Sequence, residues 1–345
     1  MAEKRAPATL DEMRAIVGSF PGPDVEAGEA ARAREAQLTK PAGALGRLET
    51  ITLWMAEWQG KHPPSCVHPR VAVFAGNHGV AAQGVSAYPA AVTMQMVRNF
   101  VDGGAAVNQL CRAVDADLRV YEMALDEPTA DFTIAPAMGE EECATAMAYG
   151  MMAVEPGIDL LAVGEMGIAN TTAAAALNAA IFGGTPAEWV GPGTGVMGDA
   201  LARKVAVVEK AIALHKRGAA DGFDFLRRLG GREFAAMVGA IMAARIARVP
   251  VLLDGYASCA AAAALYAIDK GALDHCVVAH RSAEPGHRLL LERLGKAPLL
   301  DLGMRLGEAS GAALAISVVK AALACHNGMA TFAEAGVSGK DEGAS

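Results

Sequence analysis

The stretch "GIDLLAVGEMGIANTTAAAALNAA", residues 157–180, decides the fold. Its first half is a short apolar run without alternation. Its second half is alanine-rich and opens with Asn170 and Thr171, residue types that cap helices with their side chains. The stretch therefore predicts a buried strand turning directly into a helix. A strand covered on both faces belongs in a parallel sheet with helical crossovers. Glu165 then stands at the strand's carboxyl end, with Gly164 and Gly167 on either side. At that edge of an open parallel sheet the next helix points its amide N–H groups into a crevice, where ligands bind. Taken singly, the glutamate reads first as a solvated loop residue, so the rest of the chain has to decide.

The same pattern recurs. "RVAVFAG" (70–76), "DLRVYEMAL" (117–125), "VPVLLDG" (249–255), "HCVVAHRS" (275–282) and "PLLDLGM" (298–304) join "DLLAVGE" (159–165) to suggest about six strands with helices between them. The α/β class follows. Residues 1–60 read as helices, "LDEMRAIV", "DVEAGEAARAREAQL" and "ALGRLETITLWMAEWQ", broken at "GPD" and "TKPAG". Residues 309–336 are helical again and are expected to pack with the first 60 as a small helical lobe, with 61–308 as the catalytic domain and 337–345 as a disordered tail.

Composition narrows the function. Of 345 residues, 53% are hydrophobic but only 5% aromatic, so the core is built from small side chains suited to close helix-on-sheet packing. A net charge of −8 without a basic stripe argues against nucleic acid and against a polybasic membrane anchor. The opening "MAEKRAPATLDEM" lacks an apolar signal core, and no stretch of 18 uncharged apolar residues is flanked for a membrane span, so a cytoplasmic location is expected. The six cysteines are never closer than 17 residues apart, which excludes a C-x-x-C pair and predicts reduced thiols.

Several strand ends carry polar or glycine-rich text, and together they favour a ligand site. "GPGTGVMGD" (191–199) satisfies G-x-G-x-x-G at Gly193, Gly195 and Gly198, but the preceding "TPAEWV" is a poor first strand for a dinucleotide fold. A loop whose amides, with Thr194 and Lys204, wrap one phosphate is the better reading. "MRLGEASGAAL" places Glu308 after Leu306 and Gly307 in the same grammar as Glu165, and two such carboxylates suit a general base and a partner for a developing cation. Gly167, Asn170 and Thr171 join the phosphate and ribose candidates. Ser86, Tyr88 and Gln95 fall where a flat aromatic base would be sandwiched. In "HRSAEPGH", Ser282 reads as a helix cap and His280, Glu284 and His287 as one helical face, without a metal-site signature. His78 reads as a hydrogen-bonded structural histidine. An NAD(P)-dependent oxidoreductase and a non-catalytic nucleotide-binding module stay open at this point.

Read together, "LTKPAGALGRLE", "NHGVAAQGVSAYP", "GEMGIANTT", "VPVLLDG", "SAEPGH" and "RLGEASGAALA" resemble the nicotinate-nucleotide dimethylbenzimidazole phosphoribosyltransferase family, from residue 38 to about 316. The resemblance implies a Rossmann-like sheet with a helical lobe, a homodimer, and no metal or organic cofactor. It implies transfer of phosphoribose from nicotinate mononucleotide to 5,6-dimethylbenzimidazole or a related base, in assembly of the cobalamin nucleotide loop. It also implies that Glu308 takes the azole proton, that Glu165 is a second active-site glutamate, and that Lys204 lies near the phosphate.

Overall fold

The computed structural model describes residues 8–338, and the tail expected to be disordered lies, from residue 339 on, outside the described residues. Five parallel strands form one sheet: β1 (Pro69–Ala75), β2 (Asp117–Glu122), β3 (Leu160–Met166), β4 (Val251–Leu253) and β5 (Cys276–Val278), in the order β2-β1-β3-β4-β5. The fold is Rossmann-like α/β. Three helices precede the sheet, α1 (Leu10–Val17), α2 (Val25–Glu35) and α3 (Arg47–Gln59). Next come α4 (Ala91–Val101) and α5 (Ala106–Val114) before β2, and α6 (Glu140–Met151) before β3. Between β3 and β4 lie α7 (Asn170–Phe182), α8 (Pro186–Trp189), α9 (Asp199–His215), α10 (Gly222–Leu229) and α11 (Arg232–Ile246). The chain closes with α12 (Tyr256–Tyr266) before β5, then α13 (Pro285–Leu294), α14 (Ser310–Gly328) and α15 (Phe332–Ala335).

Five strands stand where the sequence suggests about six. Residues 298–304 run beside β5 but pair only through an isolated bridge between His280 and Leu300. Leu299 and Leu300 donate to the successive carbonyls of Val278 and Ala279, both at 2.9 Å, so no alternating ladder builds. Pro298 offers no donor at the start of the segment.

Every residue of β1 and β3 is buried, as a strand covered on both faces requires. Alternation sorts them into two cores. Val71, Val73, Ala75, Leu160 and Ala162 pack with Trp54, Met55, Val97, Phe100, Ile316 and Val319 from α3, α4 and α14. Ala72, Phe74, Leu161 and Val163 pack with α6, α7, α10, α11 and α12. The two chain ends meet: Leu38 bridges Thr331, and Arg34 donates to the carbonyls of His326 (2.8 Å) and Met329 (3.0 Å). By length and composition α14 could cross a membrane, yet half of it is buried within this fold.

Small residues set the spacing of the helical layer. The alanines of α7 and α12 are buried almost without exception, as are those of α11. Between α6 and α11, a Cβ at Gly150 would stand 1.9 Å from the carbonyl oxygen of Ala236, and one at Gly239 would stand 1.8 Å from that of Met147. Chain order reverses between β1 and β3, so the crevice outside their carboxyl ends is the topological switch point, and Glu165 closes β3 there.

Candidate active site

A cavity of about 560 Å³ opens at this switch point. Glu165, Gly167, Asn170, Thr171, Gly193, Thr194, Tyr88, Leu306 and Gly307 line it, so the sequence-predicted residues of four separate segments converge. The remaining candidates sit around it. Glu308 follows the wall residue Gly307 and is 5% exposed. Lys204 is buried behind the wall, Gly195 continues the loop, and Ser86 reaches the wall through Thr194, their hydroxyl oxygens 3.1 Å apart. Gln95 is exposed on α4 and does not line the crevice.

Two backbone turns bring the glutamates together. Gly307, Glu308 and Ala309 adopt φ of 80°, 60° and 58°, a left-handed run that is costly for the two residues with a Cβ. The run lets Glu308 N–H donate to the Glu165 carbonyl at 3.1 Å. A Cβ at Gly164 would stand 2.2 Å from the Ala309 nitrogen, so glycine is needed for α14 to start this close to β3. Ala169, also left-handed at φ 78°, precedes α7.

The expected caps have other work. Ala169, rather than Asn170 or Thr171, is the N-cap of α7. Asn170 Nδ2 donates to Glu165 Oε2, and Thr171 Oγ1 accepts from Lys204 Nζ at 2.7 Å. The N-cap of α14, Ala309, has no capping side chain; Asp254 at the end of β4 serves instead, accepting from Ala312 N–H at 2.8 Å. Ser282 does not cap α13 either. Glu284 is the N-cap, and because the helix begins at Pro285, His280 stands outside it and the three residues do not share a helical face. Among the described residues no group of three or more His, Cys, Asp or Glu side chains converges in a way that could hold a metal ion.

Burial sets the electrostatics. Glu165 is pushed up to about 8, first by burial, then by the charges of Asp254 and Glu233, against the opposing Asn170 hydrogen bond. Glu308 is pushed up to about 7 by burial and by Asp254. Asp254 is itself raised by burial, eased by His280, whose Nε2 lies 3.6 Å away. Behind them His78 Nε2 and Glu233 Oε1 are 2.5 Å apart and fully buried.

The opposite wall is a glycine-rich loop held by two cations, Lys204 and Arg305. Gly193, Gly195 and Gly198 all have positive φ, at 54°, 118° and 55°, a conformation that favours glycine, and the Gly195 N–H donates to the Pro192 carbonyl at 2.9 Å. Lys204, brought down to about 8 by burial, donates to the Gly191 carbonyl at 3.0 Å. Arg305 donates to the Gly193 carbonyl at 2.9 Å, and Glu284 accepts the Gly193 N–H at 2.9 Å. This loop joins α8 to α9 with no strand before it, so the Gly193 to Gly198 match lacks the context of a dinucleotide fingerprint.

Sequence reasoning did not assign crevice roles to Asp254, Tyr256, His280, Ser282, Glu284 and Arg305, all of which line the cavity. The available signal was their position at the ends of predicted strands, in "LLDGY", "AHRSAE" and "MRLGE". A wider cavity of about 700 Å³ beside β2 is lined by Glu122, Glu140, Glu141 and Glu142, and its one lining cation among the described residues, Arg232, is already paired to Glu142.

Comparison with known proteins agrees with this architecture. A phosphoribosyltransferase family model, DBI_PRT, matches residues 20–337. The chain is 59% identical over 332 residues to the nicotinate-nucleotide–dimethylbenzimidazole phosphoribosyltransferase of Rhizobium meliloti (strain 1021), covering 96% of this chain and 98% of that one. It is 60% identical over 333 residues to the enzyme of the same name from Methylocella silvestris, with the same coverage. The crystal structure of the Thermus thermophilus enzyme of that name superposes with a TM-score of 0.85 at 41% identity, covering 92% of this chain and 100% of that one.

Proposed function

The chain belongs to the nicotinate-nucleotide dimethylbenzimidazole phosphoribosyltransferase family, and from that premise we propose how its crevice carries the reaction. The enzyme moves 5-phosphoribose from nicotinate mononucleotide to 5,6-dimethylbenzimidazole, releasing nicotinate and alpha-ribazole 5'-phosphate. One observation carries the assignment of roles: two buried, raised glutamates joined through one backbone hydrogen bond at a crevice whose far wall is a glycine loop pinned by a lysine and an arginine.

In this reading the phosphate sits between the start of α7 (Asn170, Thr171) and the Gly193–Thr194–Gly195 loop, with Lys204 as the buried cation and Gly167 admitting the ribose. The azole packs between Tyr88, Leu306 and Gly307, with Ser86 at the mouth. A ring nitrogen attacks the anomeric carbon from the face opposite the pyridinium, the C–N bond to nicotinate breaks, and the electron pair leaves with the nicotinate nitrogen. That leaving group departs without a proton, so no general acid is required. Glu165 in its ionised form stabilises the oxocarbenium character of the ribose, and Glu308 takes the proton that the azole sheds. A small lobe from the two chain ends, a homodimer and a cytoplasmic location belong to the same proposal.

The test is nicotinate release from nicotinate mononucleotide by purified protein, with and without 5,6-dimethylbenzimidazole, with products resolved by chromatography. Base-dependent release of nicotinate and a new ribotide is expected. No release with any azole overturns the reading.

A further inference from the structure

The "SAEPGH" segment supplies a carboxylate for which the transfer mechanism has no use. Glu284 is 4% exposed, yet it lines the crevice. Its own segment holds it there: Glu284 N–H donates to Ser282 Oγ at 3.3 Å, and Ser282 N–H donates to His287 Nδ1 at 2.8 Å. Oε1 accepts the Gly193 amide at 2.9 Å. Oε2 is buried without a hydrogen-bond partner among the described residues, and a Cβ at Gly191 would stand 2.2 Å from it. On either side the loop is pinned by cations that, among the described residues, bond only neutral oxygens, Lys204 on Gly191 O and Thr171 Oγ1, and Arg305 on Gly193 O.

A carboxylate bonded to a glycine-loop amide, between a lysine and an arginine, meets the surroundings that a phosphate oxygen would seek. We propose that Glu284 is a resident anion of the phosphate cradle: it holds the Gly193 amide while the crevice is empty and releases it when the phosphate of a nucleotide arrives. This rests on the phosphate placement given above. The cradle thereby keeps its shape without ligand, although three of its glycines adopt positive φ. Free phosphate is disfavoured, because it must displace a tethered like charge while gaining only cradle contacts. A nucleotide offsets that displacement through its ribose and base. Glu284 thus positions the loop and selects phosphoribosyl substrates over small anions.

The experiment titrates inorganic phosphate into wild type, Glu284→Gln and Glu284→Asp by calorimetry, with melting curves to verify folding. Glutamine keeps an acceptor for the amide and loses the charge, so phosphate is expected to bind it about tenfold tighter than wild type. In turnover, the KM for nicotinate mononucleotide is expected to fall more than kcat does. Aspartate keeps the charge and should leave phosphate binding as weak as in wild type. Unchanged or weaker phosphate binding to the glutamine variant, or equal behaviour of the two variants, overturns the proposal and leaves Glu284 a structural cap. A wild-type complex with nicotinate mononucleotide tests it without a variant: the Gly193 amide should sit on a phosphate oxygen, and an amide still on Glu284 overturns it. Phosphate titration needs no turnover. Failure of the phosphoribosyl reading would instead show as absence of nicotinate release with every azole.

Discussion

Glu165 and Glu308 share a grammar, each beside a glycine and ahead of a left-handed alanine and a small-residue helix, yet the fold treats them differently. Glu165 lies within β3, is tied by Asn170, and takes its field from Asp254, Glu233 and Glu308. Glu308 sits in a left-handed turn, and no group hydrogen-bonds its carboxyl among the described residues. In the proposed mechanism the difference separates a carboxylate fixed to face a charge from one left free to take a proton. Fixed groups suit electrostatic stabilisation, because they cost no reorganisation when charge develops. A base must instead move from one hydrogen-bonding state to another.

The largest effect should come from the free carboxylate. Glu308→Ala is expected to reduce benzimidazole-dependent nicotinate release by about 10² to 10⁴, with calorimetric binding of nicotinate mononucleotide nearly intact. Equal losses in binding and turnover would erase the distinction between the two glutamates.

Glu165→Gln should lower turnover by about 10² to 10³ and, unlike a disruptive change, raise stability. The sign follows from linkage. A glutamate unfolds into an environment where it ionises near pH 4.3, whereas folded Glu165 holds its proton up to about 8. Between those values the folded state binds more protons, so the site costs stability that begins above the unfolded pKa and is complete above the folded one. Melting curves at pH 5 and pH 8.5 should therefore show a gain for the glutamine variant that is larger at pH 8.5, on the order of 1–3 kcal/mol. A gain independent of pH would mean the buried charge is not its source.

Gly307→Ala tests the geometry joining the pair. The position has φ 80°, and a Cβ would come within 2.6 Å of Glu165 Oε1. Strain of about 1–2 kcal/mol should appear as a lower Tm, together with a loss of kcat larger than the change in KM. A variant with wild-type kcat would show that the two carboxylates need not be held so close.

The smallest effect belongs to Asn170→Ala. Its hydrogen bond opposes the upward shift of Glu165. Removing it raises that pKa further, so the acid limb of the kcat/KM profile should move to higher pH by roughly 0.4 to 1 unit, the equivalent of a hydrogen bond worth roughly 0.5–1.5 kcal/mol. No movement of the limb would separate Glu165 from the ionisation that the profile reports.

The strands were legible because burial on both faces writes itself as uninterrupted apolar text, and "RVAVFAG" and "DLLAVGE" became β1 and β3, both buried along their whole length. "PLLDLGM" carries the same text but does not ladder, since its amides engage consecutive carbonyls of its neighbour, a matter of register invisible in composition. The site was legible as a set of strand ends. Partnerships across the chain were not. Asn170, Thr171 and Ser282 read as local caps because capping is a short-range rule, whereas Asn170 and Thr171 are held by Glu165 and Lys204. Asp254, which caps a helix 58 residues further on, leaves no local trace.

The alanine-filled layer formed by α7, α11 and α12 has a consequence for how the chain tolerates change. In most cores the damaging substitution removes volume. At the alanines of these helices there is little to remove, and truncation is felt only at the few large side chains among them, Phe234, Met237, Ile241 and Met242 of α11 above all. Damage enters by addition: one methyl at Gly150 or Gly239 drives α6 from α11, and a valine at Ala175 or Ala262 should cost the roughly 1–3 kcal/mol of an overpacked core. Sequence drift in this protein is therefore limited on the inside by size far more than by polarity, which helps explain how a core so uniform in chemistry fixes a single arrangement of its crevice.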